Sequence, residues 1–156
     1  MKKVRDFMNK NVISFSPDET VFYVAKKLSQ YNIAGAPVVD KEKIIGIISI
    51  SDIIRFIDIK IGKLPKVTTP GLSSIFLVLL QMKKNCKDFE KELEKISSYK
   101  VKDVMTKNVV SASPSMTVIE VAELIEKHDV NRLPIVENGK LVGIVARADL
   151  IKAIIG

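Results

Sequence analysis

The chain states one pattern twice. Val4 to Ile57 can be laid on Val101 to Ile154 at a constant offset of 97, with no gap, and 21 of the 54 paired positions are identical. VRDFMNKNVISFSPDETVFYVAKKL faces VKDVMTKNVVSASPSMTVIEVAELI, and AGAPVVDKEKIIGIISISDII faces NRLPIVENGKLVGIVARADLI. A duplication of this kind predicts a pseudo-symmetric pair of similar units. Each copy, at about 55 residues, is marginal alone, whereas the 156 residues together can bury roughly 68–70% of the unfolded surface. Where both copies carry the same polar group, two matching pockets are expected. Their differences then show which pocket is intact.

Local patterns give each copy the order β-α-β-β-α. Val12 to Phe15 reads as a short strand closed by Ser16-Pro17. Thr20 can cap the following helix, where Val21, Val24, Ala25 and Leu28 form one apolar face. Val118, Val121, Ala122 and Ile125 repeat that face. Ala36 to Val39 is a second strand with Pro37 near its entrance, and Ile44 to Ser49 a third. Asp40 to Lys43 forms the turn between them, matched by Glu137-Asn138-Gly139-Lys140, whose Asn-Gly is a strong hairpin signal. The paired strands are therefore expected to be antiparallel. Ser51 to Ile57 opens a second helix.

The expected organisation is a first repeat over 1–57, a connector over 58–100 and a second repeat over 101–156. The connector is unique sequence. Leu64-Pro65 and Thr69-Pro70-Gly71 break it into turns, and helices are expected at Ser73–Lys83 and Lys87–Ile96. The second of these aligns Phe89, Leu93 and Ile96 on one face. An apolar stretch of this kind must be buried somewhere, on the core or in a dimer contact.

The formal charge of +7 divides as +3 on the first repeat, +4 on the connector and zero on the second repeat. A basic connector can attract an anion, so nucleic-acid binding is one alternative, although no aromatic-plus-basic stacking motif accompanies it. The single cysteine, Cys86, excludes an internal disulfide. No signal peptide is visible, and the longest aliphatic or aromatic run, Ile75 to Leu80, is far short of the ~20 residues of a spanning helix. A soluble, cytoplasmic protein with no membrane partner is expected. No His/Cys/Asp cluster has metal-ligand spacing, and the one histidine, His128, reads as an exposed helical residue. There is no Ser-His or Cys-His pairing, no glycine-rich phosphate loop and no paired acids, so the chain is not expected to be an enzyme.

Two features recur at matching places. One is a strand entrance ending in proline, Ile33-Ala34-Gly35-Ala36-Pro37 and Val130-Asn131-Arg132-Leu133-Pro134. The other is a strand running into a helix with an acid, Gly46-Ile47-Ile48-Ser49-Ile50-Ser51-Asp52 and Gly143-Ile144-Val145-Ala146-Arg147-Ala148-Asp149. A carboxylate at a helix start can accept bonds from ribose hydroxyls, each contributing roughly 1.5–3 kcal/mol. Helix N–H groups and a serine hydroxyl suit a phosphate. Backbone groups before the prolines (Ile33, Ala34, Gly35 and Ala36; Val130, Asn131 and Leu133) can read an adenine edge, and Ile47 or Ile144 can cover its face. The plainer role of such an acid is an N-cap worth ~1 kcal/mol.

These residues resemble the cystathionine β-synthase (CBS) domain family. The resemblance covers both repeats, through Asp103-Val104-Met105-Thr106, the Ser-Pro before the first helix, the proline-marked second strand and the acid after the third. It implies an α/β (α+β) fold of two β-α-β-β-α repeats packed with pseudo-two-fold symmetry, a Bateman module, with a helical insert between them. It implies a regulatory module that binds AMP, ADP, ATP or S-adenosylmethionine in clefts between the copies, with no cofactor. By resemblance Asp52 and Asp149 hold the ribose, Ser49 and Ser51 face ribose or phosphate, and Arg132 and Arg147 meet phosphate. Ser49 has no counterpart hydroxyl in the second copy, where Ala146 stands, and the arginines replace Gly35 and Ile50 of the first. The stronger site is therefore expected at Asp52. A flat homodimer acting on an effector protein is the expected assembly. The alternatives are a scaffold dimer with empty clefts and nucleic-acid binding through the insert.

Overall fold

A computed structural model describes residues 1–61, 91 and 95–156. The helices expected at Ser73–Lys83 and Lys87–Ile96 lie outside the described residues, except at Lys91, Lys95 and Ile96. Of these Ile96 is buried.

The first copy contributes α1 (Val21–Tyr31), β1 (Gly35–Asp40), β2 (Lys43–Ser49) and α2 (Ile50–Ile61). The second contributes α3 (Val118–His128), β3 (Arg132–Glu137), β4 (Lys140–Ala146) and α4 (Arg147–Ile155). Each pair of strands makes its own two-stranded sheet. In the second, Leu133 faces Val145 and Pro134 faces Ile144, with a bulge between Ile135 and Val136.

The helix starts follow from side-chain caps. The Thr20 hydroxyl accepts from Tyr23 N at 3.2 Å. The Thr117 hydroxyl accepts from Glu120 N, and the Glu120 carboxylate accepts from Thr117 N at 2.7 Å in return. The backbone bond from Thr117, and then its hydroxyl bond, hold the Glu120 carboxyl below the usual carboxylate range. Both helices end on a left-handed residue, Asn32 and Asp129.

The strand expected at Val12–Phe15 does not form. Only Phe15 pairs, in a single parallel bridge to Val38, with Phe15 N donating to Pro37 O at 3.0 Å. Ala112 repeats this with Ile135. Ala112 O accepts the return bond from Val136 N at 2.8 Å, but Pro37 and Pro134 have no N–H to donate to the next rung, at Ile13 and Val110, so the ladder does not extend toward the start of either segment.

The chain gathers into two compact units. One holds Met1–Ile13, Val39–Ile45 and Asn108–Gly156, and the other Ser14–Val38 and Gly46–Lys107. Each unit takes its lead segment from the other repeat. In the first, Val4 N donates to Met116 O at 2.9 Å, and Asn9 pairs with Ile144. Val4 is fully buried in a core with Val118, Val121, Ile125, Leu133, Ile135 and Val145. In the second, Val101 N donates to Glu19 O at 2.8 Å, and Thr106 pairs with Ile47. Val21, Val24, Leu28, Ile48, Ile53 and Val101 are buried there.

Two glycines make these seats possible. A Cβ on Gly46 would stand 2.5 Å from Met105 Sδ, and one on Gly143 2.6 Å from Met8 Sδ. Each methionine therefore lies flat on the strand where a side chain is missing, which places the backbone of Thr106 and Asn9 beside the third strand.

Candidate functional site

In the unit that carries Asp52, the acid is the third residue of α2 and its side chain is only 11% exposed. Its Oδ2 accepts from Ser49 N at 2.9 Å and from the Ser49 hydroxyl at 2.8 Å. Asp52 N donates back to the Ser49 hydroxyl at 3.1 Å. This reciprocal box fixes the carboxylate at the positive end of the helix. Its Oδ1 accepts a long bond from the Thr106 hydroxyl at 3.4 Å and lies 3.7 Å from Arg55. Oδ2 is thus saturated, and Oδ1 is the oxygen left to take a ligand hydroxyl. Ser49 has spent its one proton on Asp52 and one lone pair on Asp52 N, so a single acceptor lone pair remains.

Thr106 and Arg55 are the neighbours that sequence reasoning missed. Thr106 belongs to the quoted Asp-Val-Met-Thr motif, but offset alignment assigns it to the other copy. The glycine beneath Met105 was the available signal.

Around this acid, Ile33 and Ile47 are partly exposed and Ala34 is exposed, while Gly35 and Ala36 are buried. The Ala34 carbonyl accepts from Ile50 N at 2.9 Å. Ser51 is partly exposed, one residue before Asp52.

In the unit that carries Asp149, the acid is again the third residue of its helix, and Oδ2 accepts from Ala146 N at 2.8 Å. No hydroxyl stands at Ala146. Arg147 is bound within its own unit: Nε donates to Val130 O at 3.1 Å, Nη2 to Asp129 Oδ1 at 3.3 Å, and Nη1 lies 3.9 Å from Glu126. The Asn131 carbonyl accepts from Arg147 N at 3.1 Å. Arg132 opposes Ala146 across the sheet, and Ile144 opposes Pro134. Leu133 is fully buried, so it can offer a ligand only its backbone.

Among the described residues no group of three His, Cys, Asp or Glu could hold a metal ion. No helix among them is long and apolar enough to cross a membrane. His128 is exposed at the end of α3. The basic insert behind the nucleic-acid alternative is described only at 58–61, 91 and 95–100.

An uncharacterized protein of Methanocaldococcus jannaschii, MJ1426, is 37% identical over 154 residues, spanning 97% of this chain and 90% of the relative. Inosine-5'-monophosphate dehydrogenase of the same organism is 33% identical over 154 residues, but the chain spans only 23% of its length. Among solved structures, the CBS domain of a CBS domain containing membrane protein from Sphaerobacter thermophilus aligns with a TM-score of 0.74 at 30% identity, over 96% of this chain and 86% of that one. Two others share the fold: CBSX2 in complex with AMP (TM-score 0.68, 23% identity, 99% and 97% covered) and the CBS domain pair of MJ0100 in complex with 5-methylthioadenosine and S-adenosyl-L-methionine (TM-score 0.66, 22% identity, 99% and 96% covered). The CBS domain profile matches residues 4–59 and 101–156, the two copies whose repetition the sequence displays, and the chain belongs to the CBS domain family.

Proposed function

We propose that this chain is a regulatory, non-catalytic module that binds an adenosine-containing ligand, AMP, ADP, ATP or S-adenosylmethionine, with Asp52 as the ribose acceptor. One observation carries the reading: Asp52 is held nearly buried at a helix N-terminus with one oxygen saturated by Ser49 and the other turned to Thr106 and Arg55. At 3.4 Å the Thr106 bond is long for a hydroxyl donor, so a ribose hydroxyl can displace it at small cost. Ile47 and Ile33 supply apolar surface for the base, Ala34, Gly35 and Ala36 the backbone beside it, and Ser51 the helix start a phosphate would approach. Fold neighbours that hold AMP or S-adenosylmethionine support the class of ligand. Arg132 remains a candidate for the phosphate of a charged ligand, and Asp149 with Ile144 for a second ribose and base.

Thermal-shift scans with the four compounds test this. At 100 times its dissociation constant a ligand adds roughly 2.7 kcal/mol of stability. Asp52→Ala is expected to weaken binding about 10- to 150-fold, the loss of one or more charge-assisted bonds. No shift with any adenosine compound would sink the proposal and favour a scaffold or an anion-binding insert.

We further propose that the module acts as a homodimer in the cytoplasm and passes occupancy to an effector protein. The exposed Ile151, Ile154 and Ile155 of α4 support a self-association surface, and the single cysteine suits a reducing compartment. Sedimentation at micromolar concentration is expected to give twice the chain mass; a monomer at all concentrations would remove the dimer.

A further inference from the structure

The two helix starts use their first residue in the same way along the backbone and in opposite ways through the side chain. Ile50 N donates to Ala34 O, and Arg147 N donates to Asn131 O. The Ile50 side chain has no donor to give. The Arg147 guanidinium reaches the end of α3 instead and binds Val130 O, Asp129 and, more distantly, Glu126. Val130 and Asn131 are the backbone positions at which this unit would read an adenine edge. Both of their carbonyls already have donors from Arg147.

We infer that Arg147 is a built-in occupant of the second half-site, which closes the Val130 backbone to a base and limits the chain to one adenosine ligand, at Asp52. This rests on the reading of Asp52 and Asp149 given above, and adds what separates them. The acids themselves do not: both stand third in their helices, and each accepts from a backbone N–H three residues earlier. The arginine does separate them. Its planar fork spends donors on the Val130 carbonyl and the Asp129 carboxylate, with Glu126 an ion-pair neighbour at 3.9 Å, and an incoming adenine amine can replace only the first of these interactions. A base entering this half-site must therefore move the guanidinium off Val130 O or share that carbonyl with it. The Asp52 half-site does not require this step, because Ile50 has no donor there. The exposed Asp129 and Glu126 lose little when the arginine moves.

Isothermal titration of the full chain with AMP, and separately with S-adenosylmethionine, tests the assignment. The native chain is expected to bind one molecule per chain. Arg147→Ile, which installs the residue of the first copy, is expected to bind two. Adding Asp149→Ala to that variant is expected to return the count to one. Arg147→Ala is the parallel variant should isoleucine unsettle the helix start. Two molecules on the native chain, or a count that stays at one in both arginine variants while the first event persists, overturns the role of Arg147. The first event reports on Asp52 and the second on the arginine, so the two readings fail separately. No binding by any of these proteins overturns both.

Discussion

Asp52 and Asp149 occupy the same place on matching helices, yet the caps before them differ by one hydroxyl. Ser49 both donates to the Asp52 carboxylate and accepts from the Asp52 amide, whereas Ala146 offers Asp149 only its backbone N–H. Ser49→Ala should therefore reproduce the second copy's arrangement in the first. A lost helix cap of this kind costs about 0.5–2 kcal/mol, so urea melts of Ser49→Ala should fall by that amount. Ala146→Ser should gain a smaller fraction of it, because the serine loses rotamer freedom on being held. Equal stability of Ser49→Ala and the native chain would mean that the box contributes nothing to α2. The acids and Ser49 were legible as a resemblance, since they lie within one copy and keep its spacing. Thr106 and Arg55 were not assigned to the site. Thr106 reaches Asp52 from 54 residues away, and Arg55 is an exposed residue of a helix, 69% accessible along its side chain, with nothing in its spacing to mark it.

At the scale of elements, the two hairpins show the same turn built from different residues. Asn138 and Gly139 take φ of 53° and 78°, the left-handed pair a tight hairpin turn requires. Lys41 and Glu42 take φ of 49° and 68° in the first copy, where neither side chain favours it. Left-handed backbone costs an ordinary residue roughly 1–2 kcal/mol. Against this stands the exposed ion pair of Glu42 with Lys140 at 3.0 Å, worth about 0–1 kcal/mol. The balance predicts that Lys41→Asn with Glu42→Gly raises stability by about 1 kcal/mol, read as a higher melting temperature. A lower one would show that the Glu42 contacts outweigh the turn. Both turns and both hairpins are legible in the alternation of apolar residues and the Asn-Gly pair, and the start of α1 in its capping Thr20, while α2 begins at Ile50, one residue before the expected Ser51. The strand expected before each first helix shrinks to a single bridge, because alternation reports which face is buried and does not count the rungs that a partner strand with Pro37 or Pro134 near its entrance can carry.

At the scale of the molecule, the repeat is simple in sequence and crossed in space. Offset alignment treats Val4 to Lys10 as the start of the first copy, but these residues complete the core around α3 and β4. Nothing local could reveal this, since the two lead segments are nearly alike and each would fit either seat. The exchange has a consequence for how the chain can be divided. A fragment of residues 108–156 keeps α3, β3, β4 and α4 but lacks Val4, whose burial alone is worth about 1.5–3 kcal/mol, and Met8, which fills the space above Gly143. It also leaves Ile144 without the Asn9 backbone, which both donates to it and accepts from it at 3.0 Å. At its size such a fragment has little stability to spare. We expect 108–156 alone to show no cooperative thermal transition by circular dichroism, and residues 1–13 joined to it through a flexible linker to restore one. Residues 98–107 joined in place of 1–13 should restore nearly as much, because they bring Val101 for Val4 and Met105 for Met8 to the same seat over Gly143. A cooperative melt of 108–156 by itself would show that the lead segment decorates a unit already folded. Restoration by 1–13 would show that the second repeat is finished only by the first residues of the chain, the arrangement that Val101 and Met105 repeat around Gly46 in the other unit.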